Sequence, residues 1–119
     1  MARRESGTTI SPGTVQPMLE PAAPAATDAD LAAAARALAH PVRIRILRRL
    51  GREGSYCGDL VELLGLAQST VSHHLRILRE AGLIVGEEQG PATCYRVNRE
   101  RCAAVCQLVR DILGEPILA

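Results

Sequence analysis

Residues 68–83, QSTVSHHLRILREAGL, carry the sharpest division of apolar and polar positions in the chain. Val71, His74, Leu75 and Leu78 follow the i, i+3, i+4, i+7 spacing of one helical face. Ser69, Ser72, His73 and Arg76 fall on the other face, which has hydroxyls, an imidazole and a guanidinium and no large apolar residue. Such groups bond base edges and phosphates, so the helix suits a DNA major groove. An ordinary amphipathic surface helix has the same period, although it usually carries more Glu and Lys. Ala81-Gly82 ends the segment, with Gly82 able to take the left-handed conformation of a helix stop. Before it, GDLVELLGLA predicts a short helix over 59–64 closed by Gly65. After it, LIVGEEQGPATCYRV predicts a hairpin, with strands over 83–88 and 92–97 and a turn at Gln89-Gly90-Pro91. Helix, tight glycine turn, helix and hairpin make a helix-turn-helix with a wing.

Three further helices are expected. Thr27-Asp28-Ala29-Asp30 reads as a capping box opening an Ala-rich helix that runs through residue 39. Pro41 suits the first position of the next helix, whose inner face is Val42, Ile46, Leu47 and Leu50. Arg43, Arg45, Arg48, Arg49 and Arg52 cover much of its remainder, as phosphate contacts or as a solvated face. Gly51 and Gly54 then break the chain. Ser55-Tyr56-Cys57 is too short for a strand alone but can pair with the edge of the wing sheet. Asn98 caps a last helix over 99–113, with Glu100 in its first turn and Gly114 and Pro116 as its stop. Cys102, Val105, Cys106, Val109, Ile112 and Leu113 run along one stripe of that helix.

The runs ALAHPVRIRILRRL and GDLVELLGLAQSTVSHHLRILREAGLIVGEEQGPATCYRV resemble the ArsR/SmtB family of metal- and thiol-responsive repressors. The resemblance covers roughly residues 31–113, and its motifs are specific in combination. It implies a mainly α winged helix-turn-helix fold with a small β-hairpin wing, and a homodimer formed through the first and last helices. It also implies a repressor on double-stranded operator DNA. Two-fold symmetry then requires an inverted repeat with half-sites about one helical turn apart, roughly 34–36 Å. The chain departs from the family pattern at His40, where Asp is common, and at Ala67, where Ser or Thr usually caps the recognition helix. Arsenic repressors of the family often have Cys-x-Cys before the Asp-Leu of the third helix; here those positions are Tyr56 and Gly58. Cys57, between them, falls where the family has an inward apolar residue. The zinc-type site of the last helix is not expected, since that helix has no His and only Asp111 as an aspartate.

Composition narrows the picture. The 119 residues suffice for one domain with a modest core. With no Phe or Trp, that core is Leu, Ile, Val and Ala, and it suggests stability borrowed from dimerisation. The net charge is only +1, but residues 41–101 hold ten Arg against seven acids. All 14 basic residues are Arg, which favours bidentate phosphate and guanine contacts or reflects genomic base composition. No apolar run approaches a membrane span, and MARRESGTTISPG lacks the apolar core of a signal peptide. A cytoplasmic protein without membrane contact is expected, with its four Cys as thiols. The chain divides into a disordered N-terminal arm over 1–26, a DNA-binding and dimerisation domain over 27–114, and a tail over 115–119. A short helix over 15–20 and a touch of Arg3 and Arg4 on DNA are weaker readings of the arm.

No nucleophile, base and orienting acid stand out around His40, His73 and His74, so an enzyme is not expected. His74 reads as a buried helix residue with a satisfied hydrogen bond. The expected DNA-reading residues are Gln68, Ser69, Thr70, Ser72, His73 and Arg76. Cys102 and Cys106, four apart, present both sulfurs on one face, and Cys94 on the wing can fold back towards them. Three thiolates suit trivalent arsenic or antimony, in the pyramidal arrangement that family members resemble. Cysteines on an apolar stripe are equally at home as small core residues. Arg99, Arg101 and the helix dipole are expected to lower the thiol pKa of Cys102. The expected function is an operator-bound dimeric repressor released by such an inducer. The alternatives are a redox or persulfide sensor of the same fold, or a constitutive DNA-binding module with structural thiols.

Overall fold

A computed structural model of the chain describes residues 24–115. Residues 1–23 of the expected arm over 1–26, with the short helix and the two arginines read there, lie outside the described residues, as do residues 116–119 of the tail. Five helices and three strands follow in order: α1 (Asp28–Leu38), α2 (Pro41–Arg52), β1 (Ser55–Tyr56), α3 (Cys57–Leu64), α4 (Gln68–Glu80), β2 (Ile84–Gln89), β3 (Ala92–Val97) and α5 (Arg99–Leu113). This is a mainly α winged helix-turn-helix.

Three of the helix starts, those of α1, α2 and α5, are explained by side chains that satisfy free N–H donors. Thr27 Oγ1 accepts from Asp30 N at 3.1 Å while Asp30 Oδ2 accepts from Thr27 N at 2.9 Å, the full reciprocal box. At α2 the imidazole of His40 takes the capping role: Nδ1 accepts from Val42 N at 3.2 Å, with Pro41 at the first position. The exchange of the family's Asp for His thus keeps a cap. Asn98 caps α5 by accepting from Arg101 N at 3.2 Å. The recognition helix α4 has no such help, since Ala67 offers only its carbonyl, to Thr70 N and Val71 N at 3.1 Å each. Its other end is well closed. Gly82 (φ 80) lets Leu83 N reach Leu78 O at 3.0 Å, and both leucines are buried.

Several boundaries differ from expectation: α1 ends at Leu38 with Ala39 as its cap, and β2 runs over Ile84–Gln89 rather than 83–88, because Leu83 closes α4 and Gln89 pairs with Ala92 instead of joining the turn. Gly51 does not break α2, which continues to Arg52 because nothing opposes one exposed glycine near a helix end. α3 begins at Cys57 rather than at residue 59, because Tyr56 is the last residue of β1 and its extended backbone serves directly as the N-cap. β1 does pair with the wing, with Ser55 opposite Tyr95 and Tyr56 opposite Cys94, giving the order β1-β3-β2. β2 and β3 run in register from Ile84↔Val97 to Gln89↔Ala92, joined at Gly90-Pro91 with Gly90 at φ 64.

The core is aliphatic. Ile46, Leu50, Leu60, Val71, Leu75, Leu78 and Ile84 are buried together, with Ala34 and Ala37 of α1 and Val105 of α5. Arg101 Nη1 meets Asp30 Oδ1 at 3.0 Å, joining α5 to the start of α1. Apolar residues remain uncovered on these same two helices: Leu38 is 40% exposed, Ile112 56% and Leu113 78%. Among the described residues no helix is long and apolar enough to cross a membrane.

Leu78 lies at the centre of this packing, so Leu78→Ala leaves a cavity the neighbours cannot fill. It should lower unfolding stability by about 2–5 kcal/mol, read from urea denaturation followed by circular dichroism. A loss well under 1 kcal/mol would place Leu78 outside the core.

Candidate nucleic-acid interface and thiol pair

Burial of Val71, His74, Leu75 and Leu78 fixes how α4 is rolled, and so which residues it presents. Gln68, Ser69, Thr70, His73 and Arg76 are exposed, and Ser72 is half-buried. Two short contacts organise this face. Gln68 Nε2 donates to Ser72 Oγ at 2.9 Å, and Arg76 Nη2 donates to His73 Nδ1 at 3.2 Å. Ser72 Oγ also lies 3.7 Å from Cys57 Sγ, at the first turn of α3. Ser72 therefore steadies Gln68 and the helix-turn-helix joint as well as bordering the outer face. Cys57, half-buried against the core, sits at that joint rather than deep inside. At the wing, Glu87 accepts two bonds from Arg96, at 2.7 and 3.1 Å, which occupies a guanidinium otherwise suited to phosphate.

Behind α4 lies a hub that the residue pattern did not reveal. Arg43 of α2 turns inward: its Nε donates to Ala37 O at 2.7 Å and its Nη2 to Arg36 O at 3.3 Å, satisfying carbonyls at the end of α1. Its Nη1 lies 3.2 Å from His74 Nδ1, and since guanidinium only donates, that nitrogen must accept. The His40 ring lies 4.6 Å from that of His74, centroid to centroid. His74 is thus a buried, bonded imidazole, as expected. Its pKa is pushed down by burial, then by the neighbouring His40, Arg43 and His73. The signal available in the sequence was the spacing His40-Pro41-Val42-Arg43, which sets an arginine on the first turn directly after a capped helix start.

The cysteines divide. Cys102 and Cys106 share one face of α5; Cys102 packs at the edge of the core and its Sγ donates to Leu83 O at 3.7 Å, while Cys106 is exposed. Cys94 lies on β3 opposite Tyr56 and Glu87, and its Sγ fills the space over Gly54, 2.8 Å from where a Cβ would stand there. Strand alternation sets it on the sheet face opposite Tyr95 and Val97, the residues that pack with Cys102 on the core. Among the described residues no three His, Cys, Asp or Glu side chains gather closely enough to hold a metal ion. The structure places Cys102 and Cys106 on one face of α5 and leaves Cys94 apart.

The expected lowering of the Cys102 pKa is corrected. Burial pushes this thiol up, the neighbouring Cys106 adds to the rise, and Arg99 opposes them with a smaller effect. The arginines are engaged elsewhere: Arg101 with Asp30, and Arg99 through Nη2 donating to Gly51 O at 3.0 Å.

Residues 38–87 match the family described as a helix-turn-helix domain. The chain is 43% identical over 67 residues to the HTH-type transcriptional regulator NmtR of Mycobacterium tuberculosis, covering 56% of each. It therefore spans little more than half the length of that relative. It is 41% identical over 85 residues to the HTH-type transcriptional regulator CmtR of the same organism, covering 71% of this chain and 72% of that one. Its fold is similar to that of an ArsR-like transcriptional regulator from Rhodococcus sp. RHA1, with a TM-score of 0.67, 26% identity, and coverage of 72% and 81%.

The lowered pKa of His74 sets a pH dependence. The unfolded imidazole takes up a proton near its ordinary value of about 6.5, while the folded one resists. Below that value the unfolded state binds more protons, so stability is full at higher pH and is lost as pH falls towards the folded pKa. The urea midpoint should drop between about pH 8 and about pH 5.5. His74→Gln, which keeps an acceptor for Arg43 but does not titrate, should flatten most of that drop. An unchanged drop in the variant would assign it to another group.

Proposed function

This chain belongs to the ArsR/SmtB family of winged helix-turn-helix transcriptional regulators, and from that premise we propose that it is a dimeric repressor released from its operator through the thiols of α5. The family is one of DNA-binding regulators rather than enzymes. The observation that carries the reading is the roll of α4: four buried residues behind, and Gln68, Ser69, Thr70, His73 and Arg76 free in front. Such a face enters a major groove with its N-terminal residues on base edges. Gln68 and Arg76 have bidentate geometry for adenine and guanine, and Ser69, Thr70, Ser72 and His73 complete the set. The working unit is residues 27–114. Its partner is a second copy, and the uncovered Leu38, Ile112 and Leu113 support α1 and α5 as the shared surface. The operator is an inverted repeat in double-stranded DNA.

The inducer is a soft, thiophilic ion, trivalent arsenic or antimony, held by Cys102 and Cys106 with Cys94 recruited as the third thiolate. Binding displaces the thiol protons, which offsets the raised pKa of Cys102. It also takes Cys102 Sγ away from Leu83 O. Leu83 closes α4 and precedes β2, and its carbonyl also accepts from Asn98 N at 2.9 Å. Movement there passes directly to the reading helix and the wing, and a coupling of about 1–3 kcal/mol suffices to lower operator affinity.

The separation of Cys94 from the other two favours a second reading, a redox or persulfide sensor. Side chains four apart on a helix have Cβ atoms about 5–6 Å apart, wider than the roughly 3.5–4.5 Å of a disulfide. A polysulfide bridge between Cys102 and Cys106, formed with a polysulfide donor that accepts the electrons and carries off the protons, spans that gap without bending the helix.

Replacing His73 or Arg76 by Ala should weaken specific operator binding by about 1–3 kcal/mol per lost base contact and shift non-specific binding much less. Footprints of both variants indistinguishable from wild type would remove α4 as the reader. For the inducer, Cys102→Ser and Cys106→Ser should bind operator normally yet ignore arsenite, Cys94→Ser should respond weakly, and Cys57→Ser should respond fully. Wild-type release by polysulfide but not by arsenite or antimonite would transfer the function to the redox reading.

A further inference from the structure

The outer face of α2 has no role in the reading above. Arg45, Arg48, Arg49 and Arg52 lie at helical spacing along it, and together with Leu63 of α3 they line a shallow hollow of about 240 Å3. No acid occurs anywhere in α2. The like charges at 45/49 and 48/52, one turn apart, repel one another. The compensation in place is slight. Glu53 reaches Arg49 at 3.8 Å, longer than a hydrogen bond, and its side chain is 70% exposed. Among the described residues Arg45, Arg48 and Arg52 take part in no ion pair. Arg49 is half-buried, with its Nε enclosed and without an acceptor, so one guanidinium of the four is held in place rather than swinging in solvent. Arg43 on the same helix shows the contrast, since its Nε, Nη1 and Nη2 are each directed at a carbonyl or an imidazole.

We propose that this hollow is a binding site for phosphate oxyanions, separate from the reading face of α4. Guanidinium is the group best matched to phosphate, through paired N–H donors in a planar fork. Four of them around one hollow bring charge to several phosphoryl groups at once. From Arg45 to Arg52 the stripe extends roughly 10 Å at 1.5 Å per residue, so its ligand carries more than one phosphate. Two sources supply that chemistry: a free polyphosphate, or the sugar-phosphate backbone of DNA beyond the base pairs read by α4. The DNA source rests on the function proposed above; the free anion does not.

The test uses the full chain and the variant Arg45→Gln/Arg48→Gln/Arg52→Gln, whose three side chains are exposed; Arg48→Gln/Arg52→Gln is the milder second variant. In the first arm, inorganic tripolyphosphate at matched ionic strength should raise the wild-type melting temperature above that in chloride, and leave the variants unmoved. In the second, binding to a long random-sequence duplex is followed by anisotropy as salt is varied. A backbone contact should reduce the slope of log affinity against log salt by about 0.9 for each phosphate lost, hence by about 2–3 in the triple variant. Arg110→Gln, which removes one charge from α5, controls for net charge and should leave the slope unchanged. A positive first arm identifies a free polyphosphate and a positive second arm the DNA backbone. If neither arm separates variants from wild type, the stripe is a solvated face and the proposal is overturned. Should the wild type bind no duplex at all, the α4 reading falls while the first arm still decides the hollow.

Discussion

The guanidinium of Arg43 is the interaction that ties the hidden side of α4 to the end of α1. Three of its donors meet Arg36 O and Ala37 O at the end of α1 and His74 on the hidden side of α4. Arg43 is half-buried, and three of its five N–H groups meet three acceptors. The same contact demands an unprotonated His74 nitrogen, which agrees with the downward push that burial and the cations around it exert on that imidazole. An apolar pair in the same place would fill space, but it would not specify the angular position of α4 with the same precision. The polar network adds a directional contact to the burial of Val71, Leu75 and Leu78, which together set the residues α4 turns outward.

Around that hub the packing is aliphatic and thin. Ile46, Leu50, Leu60, Leu75 and Leu78 are completely or almost completely buried, yet no Phe or Trp adds a large buried area. Leu38, Ile112 and Leu113 stay uncovered at the α1 and α5 surface. A second copy closing over α1 and α5, as proposed above, would cover that surplus. Cys102 and Cys106 sit on the second of these helices. Cys102 touches Leu83 O, the residue that also closes α4 and receives Asn98 N. Cys102 Sγ thus meets the end of α4, the root of the wing and the start of α5 at a single carbonyl.

Much of this was legible in the residue pattern because the determining interactions are local. Helical periods placed Val71, His74, Leu75 and Leu78 inside α4; the box at Thr27 and Asp30, the cap at Asn98 and the glycine stops at Gly65 and Gly82 depend on contacts within a few residues. Ser55-Tyr56-Cys57 was anticipated as a partner of the wing for a different reason, that so short a strand needs an existing sheet edge, and its first two residues do pair with β3. The misplaced boundaries were also local, but there the bias was weak. One glycine at the end of α2 costs too little to stop it, and α3 starts on a backbone cap with no side-chain signal.

What only the tertiary structure decided involves groups far apart in the chain. Arg43 and His74 are 31 residues apart, Asp30 and Arg101 more than twice that, and no period links them. The thiols show the same division. Spacing alone joined Cys102 to Cys106, because four residues of helix bring two side chains together. Whether Cys94 joined them depended on the face of β3 it occupies and on Gly54, whose missing side chain gives its sulfur a place to rest. The proton affinity of Cys102 likewise followed from burial and from where Arg99 and Arg101 spend their charge, on Gly51 and Asp30. The sequence by itself determined the elements, their faces and the family, because those follow from short-range sterics and hydrophobic period; the tertiary structure determined charge states and side-chain partners, because those depend on distance through space.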